Sequence, residues 1–174
     1  MKILIAIAPE KFRDEELADP VLALQKANIA YDIASTRRGF STGMLGMKAQ
    51  VTLSFEEVEP GEYEGLLIVG GSGAQQHLWD DEILPSLAKY FQESGKVVAA
   101  ICLAPVVLAR AGILKGKKAT YFNSPVSFRE MKAGGAVLVD KPVVADLRII
   151  TANGPAAAKE FGEAVVRALT AVEW

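Results

Sequence analysis

Short apolar runs, each followed by a segment of helical period, constrain this chain more than any other feature. They fall at 3–8, 30–35, 65–69, 97–101, 119–122 and 149–152. Most lack polar alternation, which is the pattern of strands buried on both faces of a parallel sheet. Segments of helical period lie between or after them, at 14–26, 80–92, 104–111, 126–132 and 156–171. Asp14 is placed to cap the first, and Gly95 and Gly112 to stop the second and third. Two further stretches, 49–55 and 137–145, predict hairpins, the second with the turn residues Asp140, Lys141 and Pro142. The alternation predicts a three-layer α/β/α sandwich around a mainly parallel sheet, with residues 1–174 forming one domain.

Composition narrows the class of function. At 51% hydrophobic over 174 residues, the chain can bury a core on both faces of a sheet. Nineteen basic residues against 21 acidic ones leave a formal charge of −2, so no nucleic-acid or anionic-membrane partner is expected. One cysteine and one histidine cannot build a usual metal site, and no cofactor is implied. The opening apolar run is too short to span a membrane and carries no cleavage signature, so a cytoplasmic location is expected.

The single cysteine, Cys102, sits where the run 97–101 breaks into the segment 104–111. One nucleophile at a sharp strand-to-helix turn is a nucleophile elbow. Free N–H groups at the start of the following helix would favour the thiolate, the reactive form. The plainer alternative is a small buried hydrophobe. Gly70, Gly71, Ser72 and Gly73 also leave a strand directly. They read either as a loop offering backbone N–H groups to an oxyanion or as a tight turn needing positive φ. His77 lies a few residues further on and could approach Cys102. The acidic clusters 14–16 and 80–82 read as helix openings, where carboxylates complement the dipole.

These motifs together resemble the ThiJ/PfpI superfamily, which includes the PfpI-type intracellular proteases and the Parkinson's-linked protein deglycase. The similarity runs nearly end to end: 2–5, 12–17, 65–71, 95–102, 104–105, 108–117, 153–155 and 160–161. It implies a flavodoxin-like sandwich, akin to the class I glutamine amidotransferases, with Cys102 at the elbow. It further implies a carboxylate from the first loop beside the thiol, and an oxyanion pocket of backbone N–H groups from Gly71 or Ser72 and from Leu103. Homodimers or larger assemblies are common in the family.

Three departures are visible. Leu103 stands where the proteases have histidine, so that Cys–His pair is absent. Gln75 falls near their partner glutamate. Threading through Phe12 and Asp14 puts Arg13 where the first-loop glutamate is expected, with Glu10 as a nearby substitute. An arginine cannot shuttle protons, but it would lower a thiol's pKa or hold an anion. The alternative is that Arg13 turns away to its own helix. Tyr121, Asn123 and Pro155 complete the expected pocket, although the segment 120–123 lacks the deglycase's histidine. Peptidase activity by the family triad is therefore not expected. The expected substrate is a small electrophile such as a reactive carbonyl, in a glyoxalase-like or deglycase-like reaction. Oxidation of Cys102 as a stress sensor and a non-catalytic binding module are the alternatives.

Overall fold

The computed structural model describes residues 1–171. In chain order the elements are β1 (Lys2–Ala6), α1 (Asp14–Lys26), β2 (Ala30–Ser35), β3 (Gly39–Thr42), β4 (Lys48–Val51), β5 (Leu53–Ser54) and β6 (Gly65–Ile68). There follow α2 (Ile83–Glu93), β7 (Val97–Ile101), α3 (Pro105–Arg110), β8 (Lys118–Ala119), α4 (Pro125–Ala133), β9 (Val137–Leu138), β10 (Val143–Asp146), β11 (Ile149–Ala152) and α5 (Ala158–Thr170). The central sheet has seven strands in the order β10-β11-β7-β6-β1-β2-β5. All neighbours are parallel except β10, which returns antiparallel on β11. This is the mainly parallel α/β sandwich that the alternation predicts, in the flavodoxin-like form that the family resemblance implies.

Side chains of β1 show how one apolar run serves two cores. Ile3, Ile5 and Ile7 point to the face covered by α1 and α5, where Leu17, Leu24, Phe161, Val165 and Leu169 are buried. Leu4, Ala6 and Ala8 point to the other face, against Leu84 and Phe91 of α2, Val106 of α3 and Met131 of α4. Each fully buried Ile, Leu or Phe contributes roughly 1.5–3 kcal/mol. Helices α1 and α5 pack closely because position 162 is glycine. A Cβ there would stand 2.8 Å from the Cα of Pro20.

The structure corrects several local expectations. The run 119–122 is not a strand of the main sheet: the strand there is Lys118–Ala119, in a small parallel pair with Val137–Leu138. Residues 49–55 do not form a hairpin alone. Instead β4 pairs with β3, and β5 becomes the edge of the main sheet. Likewise 137–145 divides, and the hairpin is β10–β11, with Leu147 at φ 55 in its turn. The helix expected at 80–92 starts at Ile83, where Asp81 accepts the Ile83 and Leu84 N–H groups. A π-helical turn, Ala74–Leu78, fills the preceding loop. Asp14 does not cap α1 but is its first residue. Its carboxylate accepts the backbone N–H groups of Leu45 and Met47, fastening the β3–β4 loop to the start of the helix. Among the described residues, no helix is long and apolar enough to cross a membrane.

Candidate active site

Parallel strands deliver their following loops to one edge, and a ligand site is expected beyond their carboxyl ends. Here the loops after β1, β6 and β7 meet. Cys102 follows β7 directly and has φ 66, a left-handed conformation that costs a non-glycine residue about 1 kcal/mol. Its surroundings hold it there. The Cys102 N–H donates to Ala152 O at 2.9 Å, and the Phe122 N–H donates to Cys102 O at 2.8 Å. The chain then turns into α3 as Ala104 N–H reaches back to Ile101 O at 3.0 Å.

The carboxyl beside the thiol is Glu16, from the first turn of α1. It is fully buried, with no hydrogen bond of ordinary geometry to either oxygen. Its nearest polar company is the Cys102 thiol and the Gly70 backbone. Gly70 is the gap through which the two meet: a Cβ there would lie 2.6 Å from Glu16 Oε1 and 2.7 Å from Cys102 Cβ. Burial pushes the Glu16 carboxyl up to about 8, against weaker downward pulls from the thiol and from Arg13. Burial, followed by the Glu16 charge, pushes the Cys102 thiol up to about 12. The backbone N–H groups of Gly71 and Leu103 oppose that rise, favouring the thiolate. Near neutral pH the pair therefore holds both protons.

Two sequence expectations are overturned here. Arg13 does not support a low-pKa thiolate. Its guanidinium pairs with Glu15, with Nε 2.7 Å from the carboxylate, and its charge favours the Glu16 carboxylate. Glu10 does not substitute for the missing carboxylate either. It faces His77, with Oε1 3.2 Å from Nε2. The cluster 14–16 is also more than a helix opening, for Asp14 ties a loop, Glu15 holds Arg13 and Glu16 enters the site. Sequence threading misses Glu16 by three positions. The signal for it is helical spacing, since Glu16, Pro20 and Leu24 recur every four residues on the face that α1 buries.

The other expected residues divide into two groups. Gly71 has φ 104 and lies against the first loop, where a Cβ would stand 2.5 Å from Arg13 N. Only glycine allows that approach. Ser72 is half-buried and enters the turn that follows. Leu103, also half-buried, lies next to the cysteine. Pro155 begins a short 3₁₀ turn after β11. The Tyr121 hydroxyl donates to Asn123 Oδ1 at 3.3 Å, and both line a neighbouring cavity of about 380 Å³ with Phe128, Asp140 and Asn153. Among the described residues, no cluster of His, Cys, Asp and Glu could hold a metal ion.

Comparison with known proteins agrees with this architecture. The DJ-1/PfpI family model matches residues 1–168. An uncharacterized protein of Methanocaldococcus jannaschii is 46% identical over 168 residues, covering 97% of this chain and 82% of that one. The deglycase PfpI of Pyrococcus furiosus is 35% identical over 156 residues, covering 89% and 91%. A ThiJ/PfpI domain protein from Brachyspira murdochii superposes with a TM-score of 0.94 at 32% identity, covering 99% and 98%. With the elbow, the sheet order and these likenesses in agreement, the chain belongs to the DJ-1/PfpI family.

Proposed function

We propose that the chain catalyses cysteine-dependent chemistry on small reactive carbonyls, in the manner of the deglycases it is similar to. The observation that carries this reading is the meeting of a buried carboxyl and a buried thiol across Gly70, where the Gly71 and Leu103 backbone favours the thiolate. In the proposed step, the fraction of Glu16 that is ionised, minor near neutral pH and growing towards pH 8, takes the thiol proton while Sγ forms a bond to the carbonyl carbon. The C=O π bond breaks, and its electron pair moves onto oxygen. The N–H groups of Gly71 and Leu103 receive that oxyanion, and Glu16 returns the proton to it. A carboxyl pushed up to about 8 suits both halves of the exchange. The proposed setting is the cytoplasm, with the chain acting as a homodimer or larger homo-oligomer.

Methylglyoxal turnover by purified protein tests this. Cys102→Ser is expected to abolish turnover, and Glu16→Gln to lower it about 10²–10⁴-fold while leaving the thiol open to alkylation. Turnover that survives Cys102→Ser would remove the cysteine from the mechanism. Selective oxidation of Cys102 is a second reading that the same pair supports, since a protonated Glu16 can donate a hydrogen bond to an anionic oxidised sulfur.

A further inference from the structure

The two backbone segments that flank Cys102 and favour its thiolate, at Gly71 and Leu103, belong to different loops, one after β6 and one after β7. A hydrogen-bonded path away from the sulfur joins those loops. Ala74 N–H donates to Gly71 O at 3.1 Å, and Trp79 N–H donates to Ala74 O at 3.0 Å. The Trp79 indole Nε1–H then donates to Leu103 O at 2.8 Å. The π-helical turn Ala74–Leu78 carries the backbone between these contacts. Trp79 is 5% exposed, so its orientation is set by packing.

Arg110, the last residue of α3, braces the tryptophan from the other side. One guanidinium nitrogen donates to Trp79 O and to Asp80 Oδ1, each at 2.8 Å. The guanidinium also lies over the indole, 5.4 Å from the ring centroid. Its remaining nitrogens bind Glu130 of α4 at 2.7 and 2.9 Å. A phenylalanine would fill most of that apolar space but has no N–H to give Leu103 O. What that N–H adds is a fixed attachment of the elbow to the glycine loop.

We propose that Trp79 is a positioning residue: its indole N–H, braced by Arg110, fixes the spacing of the Gly71 and Leu103 N–H groups around Cys102 Sγ and so sets the reactivity of the thiol. This rests on Cys102 being the nucleophile of the proposed carbonyl chemistry. A small displacement of one donor suffices, because oxyanion donors act over hydrogen-bond distances only.

The test is the rate of Cys102 alkylation by iodoacetamide at fixed pH, with kcat and KM for methylglyoxal measured alongside. The chain has one cysteine, so the alkylation rate reports that site alone. Trp79→Phe is expected to slow alkylation about tenfold and to lower kcat by a similar factor with KM unchanged. A merely structural role for Trp79 predicts the opposite sign, since loosening the core would expose the buried thiol and speed alkylation. Faster or unchanged alkylation overturns the proposal. Should Trp79→Phe fail to fold, Arg110→Gln decides: slower alkylation supports the proposal, and faster or unchanged alkylation overturns it. Wild-type protein without carbonyl turnover would sink the proposed function yet leave the alkylation comparison intact.

Discussion

Glu16 and Cys102 approach each other across Gly70, each within 2.7 Å of the point where a Cβ at that glycine would stand. Burial of Glu16 at this contact makes stability depend on pH in a direction opposite to that of most carboxylates. Glu16 is raised from an ordinary value of 4.5 to about 8 in the fold. Between those values the native state holds a proton that the unfolded chain has lost, so stability is full below about pH 4.5 and falls as pH rises towards 8. The slope approaches about 1.4 kcal/mol per pH unit. Glu16→Gln keeps the shape without the charge. It is expected to melt near the wild type at pH 5 and above it at pH 9. Thermal melts at both values check this, and parallel pH dependences in the two proteins would contradict it.

Gly70 is the second place where this pair can be tested. Its missing side chain leaves the space that the carboxyl and the thiol share. A methyl group would meet Ile101 O at 2.4 Å as well as both partners, and the carbonyl belongs to a central strand that cannot yield. Gly70→Ala is expected to destabilise by about 1–3 kcal/mol and to force Glu16 and Cys102 apart. Turnover should drop more than the loss of folded protein explains. Denaturant unfolding paired with activity per folded molecule separates the two effects. Wild-type turnover in the Gly70→Ala variant would mean that the contact does not matter for chemistry.

Much of this arrangement is legible in residue order. The run 97–101 and the break at Cys102 place the nucleophile, because an uninterrupted apolar strand followed at once by a helix allows little else. Gly71 is legible for a related reason, as a glycine directly after a strand marks positive φ or close approach. Glu16 is not found by threading the first loop, since Phe12 and Asp14 frame Arg13 as the tempting match. Helical phase finds it, yet an acidic triplet at a helix start has a sufficient local explanation in the dipole, and that explanation hides the buried member. The fate of 119–122 is hidden for a different reason. β-propensity cannot tell a strand from an extended crossing segment, and it is the bond from Phe122 N–H to Cys102 O that decides the difference.

Arg13 offers a prediction that separates influence on the acid from influence on the sulfur. Its side chain pairs with Glu15 near the surface, a contact worth about 0.5 kcal/mol or less, so Arg13→Met should barely change the melting temperature. Its charge nevertheless favours the Glu16 carboxylate, and Glu15, once unpaired, repels it. Both changes raise the Glu16 pKa above its starting value of about 8, so the alkaline rise in carbonyl turnover should move to higher pH. Alkylation of Cys102 should remain close to the wild-type rate, because the guanidinium is held on Glu15. The pH profile of kcat/KM, taken with alkylation at one pH, checks both halves. A clear fall in alkylation with an unmoved profile would reassign Arg13 to the sulfur, and no change in either would leave it as a surface residue alone.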